Sequence, residues 1–150
     1  QGTVLGSRLE ELARIVELAA CGERLGVCLD TCHAFAAGYP LHEAAGHEAL
    51  LAELERLLGL ARLGAIHLND SQGACGSRRD RHANIGEGEI GTAAFRRLLR
   101  DERLRRVPML LETPLGDDGA GHARDLATLR RLAGAVRISG RGRRAARRAG

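Results

Sequence analysis

The fold of this chain is restricted above all by short apolar runs that alternate with longer segments of helical periodicity. The apolar runs of strand length are residues 25–29, 64–68 and 107–111. Apolar residues recur at helical spacing in residues 8–20, 46–62, 92–101 and 122–133. This order predicts an α/β fold with a parallel sheet and helical crossovers. Because a (β/α)8 barrel takes about 250 residues, we expect either a small open sheet or a part of something larger.

The positive charge of the chain is concentrated at its carboxyl end. The formal net charge is +4, and five of the 23 basic residues, all of them arginine, lie in residues 139–150, which hold no acid. Without these five, 18 arginines face 19 acidic residues, so the overall charge is a weak indication of nucleic-acid binding. We predict a folded unit at residues 1–138 and a disordered basic tail at residues 139–150.

The composition excludes several classes of protein. Three aromatic residues are too few for a surface that binds single strands by stacking their bases. No apolar run approaches the ~18 residues of a membrane span, and no signal-peptide pattern opens the sequence. The four cysteines do not form paired Cys-x-x-Cys knuckles. We therefore expect reduced thiols in a cytoplasmic protein that does not contact a membrane.

Each predicted strand ends near a residue type that binds metals. Asp30 follows the first apolar run, His67 lies near the end of the second, and Glu112 follows the third. In parallel α/β proteins the carboxyl ends of the strands face the active site. Taken singly, a capping aspartate, a core histidine and an ion-paired glutamate are the commoner situations. Three such residues at equivalent positions favour a shared active site.

More residues of ligand type lie in the predicted loops. His33 comes three residues after Asp30, while Asp80 and His82 flank a single arginine. Side chains two residues apart in an extended chain point the same way. Carboxylate and imidazole groups suit zinc, and also manganese or iron. The pattern therefore predicts a metal centre built from several segments.

The loop predicted at residues 71–90 carries a group of arginines among these candidates. Arg78, Arg79 and Arg81 suit a phosphate-rich substrate such as nucleic acid. The alternative is a solvated charge run, which is usual for surface arginines. The glycine-rich residues 86–91 could let the backbone approach a ligand closely.

The remaining candidates are assigned to ordinary structural positions. Residues 31–44 are predicted to form a loop. Cys28 lies inside an apolar strand, where a free cysteine packs as a small hydrophobe. Cys32 by itself does not make a metal knuckle. The isolated histidines are predicted to be surface residues: His42, His47 and His122.

Three stretches of the sequence resemble the endonuclease IV family of apurinic/apyrimidinic-site DNA repair enzymes. They are GVCLDTCHAFAAGY at residues 26–39, IHLNDSQGACGSRRDRHANIGEG at 66–88 and LLETP at 110–114. The resemblance covers about residues 1–134. It implies that residues 1–138 are the C-terminal part of a TIM (β/α)8 barrel, with about three strands and their flanking helices.

The resemblance also implies a cofactor of three Zn²⁺ ions with nine ligands, although Mn²⁺ or Fe²⁺ would suit the same donors. Six ligands have matching positions here: Asp30, His33, His67, Asp80, His82 and Glu112. By this likeness His33, Asp80 and His82 hold one zinc. Asp30, His67 and Glu112 contribute to a second zinc and are the expected catalytic residues. The other family ligands, two histidines and a bridging glutamate, are expected before the position of Gln1.

The family reaction is hydrolysis of the DNA phosphodiester 5′ to an abasic site, in base excision repair. It leaves a 3′-hydroxyl and a 5′-deoxyribose phosphate. The implied partner is double-stranded DNA with abasic sites, bound by a monomer. Arg81 would contact a DNA phosphate, with Arg78 and Arg79 beside it. Gln72 stands where the family usually has a lysine.

Two other functions are compatible with these residues. One is a divalent-metal sugar isomerase of the related xylose-isomerase-like barrel group, which also places Asp, His and Glu on successive strand ends. The other is an inactive truncated fragment that binds one zinc or binds DNA weakly through the tail. Asp80 and His82 favour the nuclease over the isomerase, because they complete a third metal site that an isomerase does not need.

Overall fold

The structure, a computed structural model, describes residues 5–134. Its helices are α1 (Leu9–Leu18), α2 (Thr31–Ala37), α3 (Ala44–Leu57), α4 (Gly91–Arg100) and α5 (Gly121–Ala133). Its strands are β1 (Val27–Asp30), β2 (Leu63–His67), β3 (Asp70–Ser71), β4 (His82–Ala83) and β5 (Met109–Leu110). Short 3-10 turns lie between them at Gly22–Arg24, Leu60–Arg62 and Glu102–Leu104.

Three of the strands form one parallel sheet in the order β1-β2-β5, so the predicted α/β fold with a parallel sheet is confirmed. Asp30 of β1 is in register with His67 of β2, and His67 is in register with Leu110 of β5. The carboxyl ends of the strands therefore meet at one edge. β3 and β4 form a separate antiparallel pair in which Ser71 lies opposite His82.

The helices cover one face of the parallel sheet. Leu29 and Ile66 are buried in the same apolar core as Phe95 of α4. Because side chains alternate along a strand, Cys28 lies on the other face, where it is exposed. Leu110 of β5 is also 48% exposed. The prediction that Cys28 packs in the core is wrong, because among the described residues the helices pack on one face only.

The predicted loop at residues 31–44 is wrong for its first half, which forms α2. Asp30 ends β1 and also caps this helix, since its Oδ1 accepts the backbone N–H of His33 at 3.0 Å. Gly38 ends the helix with φ of 110°, a conformation that glycine adopts without strain. The strand therefore passes directly into a helix, and a capping aspartate at residue 30 is the sequence signal from which this helix could have been recognised.

Two other boundaries differ from the sequence predictions. The helix predicted at residues 46–62 ends at Leu57, and Gly59 with φ of 80° separates it from the following 3-10 turn. The loop predicted at residues 71–90 contains β4, which pairs with β3. Both differences arise because a short turn and a two-residue strand are too brief to change the apolar periodicity of the sequence.

The predicted basic tail at residues 139–150 lies outside the described residues. Within residues 5–134, no helix combines the length and the apolar character that a membrane crossing requires.

Candidate metal centre

The side chains that follow β1, β2 and β5 converge at one point. His67 Nδ1 lies 3.0 Å from Glu112 Oε2 and 3.6 Å from Asp30 Oδ2. One donor atom from each of the three lies within 4.8 Å of the others. Two donor atoms bound to a tetrahedral zinc at about 2.0–2.1 Å are ~3.3 Å apart. The measured separations bracket this value, so the spacing suits a metal ion.

A second group of donors lies beside the first. Asp80 Oδ1 is 3.0 Å from His33 Nε2 and 3.5 Å from His82 Nε2. His82 Nε2 is also 3.9 Å from Asp30 Oδ2, so Asp30 lies between the two groups. The structure thus brings all six predicted ligand residues together in two adjacent groups. That they bind metal remains a prediction.

The orientation of His82 leaves one ring nitrogen without a hydrogen bond. His82 Nδ1 lies 3.0 Å from the backbone oxygen of Glu112. A carbonyl oxygen only accepts, so Nδ1 carries a proton, and in the neutral ring Nε2 then presents a lone pair. Nε2 is buried and has no hydrogen-bond partner among the described residues. A metal ion at this position would satisfy the nitrogen, and the carbonyl contact is the type of second interaction that orients metal-binding histidines.

The loop that carries Asp80 is attached to α2 by backbone hydrogen bonds. The N–H groups of Gly76 and Arg78 donate to the oxygens of Phe35 and Ala36, at 2.9 and 3.0 Å. The thiol of Cys32 donates to the backbone oxygen of Arg81 at 3.6 Å. Burial raises the pKa of this thiol, and the side chain is wholly buried, as is usual for a free cysteine that packs as a small hydrophobe.

Gln72 has a structural role in the same loop. Its backbone N–H donates to the oxygen of Arg81 at 3.0 Å, and its side-chain Nε2 donates to the oxygen of His82 at 2.9 Å. Gln72 therefore holds the backbone at the start of β4. It supplies no cation at the position where the resembled family usually has lysine.

The three arginines proposed to contact phosphate lie on the surface of this loop. Arg78, Arg79 and Arg81 are exposed, and within residues 5–134 none of them forms an ion pair with an acidic side chain. Arg78 has φ of 57°, an uncommon conformation for a residue with a side chain. Their positive charge is thus free of acidic partners in the described part of the chain and lies beside the candidate ligands.

Asp70 organises the glycine-rich segment that follows the loop. Its wholly buried carboxylate accepts N–H groups from the segment: Gly86, Gly88, Ile90 and Gly91. A Cβ at Gly88 would lie 2.6 Å from Asp70 Oδ1. The close approach predicted for these glycines is therefore made to a carboxylate of the chain itself. No local sequence pattern indicates this role of Asp70.

Asp125 of α5 is another residue that the sequence analysis missed. Its carboxylate accepts from Asn84 Nδ2 and from the backbone N–H of Ile85, each at 2.9 Å, and from the hydroxyl of Thr113. It connects the segment after His82 to the residue after Glu112. An aspartate in a helix carries no sequence signal for these contacts, because its partners come from distant segments.

The histidines predicted on the surface have different environments. His42 is exposed, as predicted. His47 is buried on α3, and its Nε2 lies 2.8 Å from Asp101 Oδ2, so the surface prediction for it is wrong. His122 is half-buried, with Nε2 2.7 Å from the backbone oxygen of Thr113. Both rings are held by hydrogen-bond acceptors that only the folded chain brings near.

The fold and the donor set together define the class of the protein: a parallel α/β fold whose strand ends carry a candidate metal centre. The chain belongs to the xylose isomerase-like TIM barrel family, whose model matches residues 1–132. The prediction that it forms part of a TIM barrel is therefore confirmed.

Individual proteins that are similar to this chain indicate a more specific group within the family. A "Probable endonuclease 4" of Chloroflexus aurantiacus is 54% identical over 132 residues, which are 88% of this chain and 46% of the relative. That of Chloroflexus aggregans is 55% identical over 139 residues, 93% of this chain and 48% of the relative. The crystal structure of endonuclease IV from Thermus thermophilus is similar with a TM-score of 0.75 and 42% identity, over 88% of this chain and 46% of that one. The resemblance to endonuclease IV is confirmed, and the chain spans about half the length of the curated relatives that it matches.

Proposed function

We propose that the protein carrying this chain is a zinc-dependent endonuclease acting on abasic DNA in base excision repair. It hydrolyses the phosphodiester 5′ to an apurinic/apyrimidinic site and leaves a 3′-hydroxyl and a 5′-deoxyribose phosphate. The observation that carries the proposal is the pair of adjacent donor groups that share Asp30. The likeness to proteins named endonuclease 4 supports the choice of reaction.

Each donor group has a role in this proposal. His33, Asp80 and His82 hold one zinc, while Asp30, His67 and Glu112 contribute to a second and are the catalytic residues. When bound, the zinc ions supply Lewis-acid charge that offsets the negative charge developing on the phosphodiester. The unpartnered Nε2 of His82 supports the fit of a metal to these side chains. Manganese or iron suits the same donors.

The positive charge around this centre supports a phosphate-rich substrate. The guanidinium groups of Arg78, Arg79 and Arg81 are exposed beside the donors and would bind phosphates of double-stranded DNA. We propose that the protein acts as a monomer. We also propose that it acts in the cytoplasm, where thiols stay reduced, because its four cysteines are free.

Incision of a defined duplex tests the proposal. The protein as its gene encodes it is incubated with DNA that holds one tetrahydrofuran abasic analogue, and the undamaged duplex is the control. We expect a single cut 5′ to the analogue with a 3′-hydroxyl end, lost on treatment with a chelator and restored by zinc. Isomerisation of a ketose without any nick would refute the nuclease and favour the sugar isomerase.

A matched pair of variants links the activity to the donors. Asp80→Ala removes a proposed ligand, whereas Asp117→Ala removes an exposed aspartate that lies in another loop. We expect zinc content and incision to fall in the first variant and to remain in the second. Equal incision by both variants would contradict the assignment of Asp80.

A further inference from the structure

Asn69 occupies a central position at the edge where the parallel strands end. It comes two residues after His67, the last residue of the middle strand β2, and it is wholly buried. Because β2 lies between β1 and β5, a side chain at this point can reach the ends of both neighbours. An amide buried this deeply costs free energy unless its donors and acceptors are satisfied.

The side-chain amide of Asn69 joins the two neighbouring strand ends. Its Nδ2 donates to Asp30 Oδ2 at 2.8 Å, and its Oδ1 accepts the backbone N–H of Glu112 at 2.9 Å. That N–H can only donate, so it fixes which end of the amide carries the oxygen. Aspartate would have no donor for Asp30, and leucine would have neither group. The bridge therefore requires an amide.

The backbone of Asn69 is held as firmly as its side chain. The hydroxyl of the wholly buried Thr31 accepts the N–H of Asn69 at 2.9 Å and donates to its backbone oxygen at 2.6 Å. Thr31 directly follows Asp30, so the amide and the carboxylate that it contacts belong to one hydrogen-bonded unit. Such a unit restricts the orientation of both side chains.

The carboxylate oxygen that Asn69 binds is the one that the two donor groups share. Asp30 Oδ2 lies 3.6 Å from His67 Nδ1 and 3.9 Å from His82 Nε2. We propose that Asn69 is a positioning residue of the metal centre, which sets the orientation of the Asp30 carboxylate and the position of the Glu112 backbone. This inference rests on the proposed function, because it concerns ligands of the metal that the function requires.

Zinc affinity tests this role independently of activity. The protein as its gene encodes it, stripped of metal, is compared with Asn69→Leu and Asn69→Ser by competition with a chromophoric zinc chelator. Leu54→Ala is the control, since it destabilises the fold from the wholly buried core of α3 and leaves the metal centre intact. The free energy of unfolding without metal is measured for all four proteins.

We expect both Asn69 variants to bind zinc about 10–100-fold more weakly than the unaltered protein, as is usual when a partner of a metal ligand is removed. Leu54→Ala should keep the affinity of the unaltered protein although its unfolding free energy falls. Zinc affinity that is unchanged in the Asn69 variants, or reduced equally in Leu54→Ala, would overturn the positioning role alone. Failure of the unaltered protein to bind zinc would refute the proposed function and this inference with it.

Discussion

Replacing Asp70 by asparagine should destabilise the chain strongly, because both carboxylate oxygens accept backbone N–H groups. Oδ2 accepts from Gly86 and Gly88, at 2.9 and 3.2 Å. Oδ1 accepts from Ser71 and Ile90, at 2.9 and 3.0 Å, with Gly91 at 3.4 Å. Whichever oxygen becomes an NH₂ group, at least two N–H groups then face a donor. Hydrogen bonds to a charged group are worth about 1.5–3 kcal/mol each.

The expected loss is therefore about 3–6 kcal/mol in the free energy of unfolding, or a fall of roughly 10–20 °C in Tm. Denaturant unfolding of the metal-free protein measures it. Asp118→Asn is the matched control, since Asp118 is exposed and pairs with Arg124 on the surface. The control should leave the free energy of unfolding nearly unchanged. An Asp70→Asn protein within about 1 kcal/mol of the unaltered one would refute this account of the buried carboxylate.

Further predictions concern the ligands, the glycine segment and acid stability. Asp80→Ala and His82→Ala should each weaken zinc binding at least as much as the loss of a residue that orients a metal ligand, which is about 10–100-fold. Arg81→Ala should lower only the affinity for DNA and make that affinity less dependent on salt. Equal loss of zinc affinity in all three variants, measured by chelator competition, would contradict this assignment. Gly88→Ala should cost about 1–3 kcal/mol in denaturant unfolding, because its Cβ would meet the backbone oxygen of Ser71 and the carboxylate of Asp70; an unchanged unfolding midpoint would be inconsistent with these contacts. Hydrogen bonds from Arg103 hold the pKa of Asp101 well below its usual range. The contribution of the Asp101 carboxylate to the free energy of unfolding is therefore present above about pH 4 and is lost as the pH falls through the folded-state pKa. Asp101→Asn should therefore flatten the acid side of the stability–pH curve, and an unaltered slope there would argue against the shift.

The candidate ligand residues were predictable because each lies beside a feature that a local sequence pattern reports. Apolar runs mark the strands, so the sequence identifies Asp30, His67 and Glu112 as strand-end residues. The carboxyl ends of parallel strands meet at one edge, which makes such residues neighbours. Asp80 and His82 were found from their two-residue spacing and from the resemblance of the surrounding motif.

The buried polar residues around the candidate ligands left no comparable signal. Asn69 and Asp125 bind groups at least 12 residues away along the chain. His47 has the same character, since its partner Asp101 is 54 residues away. A polar residue on a helix or after a strand is usually exposed, so burial with a distant partner is the less common outcome. Local patterns therefore predicted the wrong environment for His47 and no role for the other two.

The sequence by itself determined the alternation of the three parallel strands with the helices between them, and the six residue positions from which a metal centre can be built. Those properties depend on periodicity and on residue type, which are local. The tertiary structure alone decided which face of the strands the helices cover, which nitrogen of His82 is left free, and how Asn69 joins Asp30 to Glu112. These depend on distances between segments far apart in the chain, and such distances exist only after β1, β2 and β5 have paired in register.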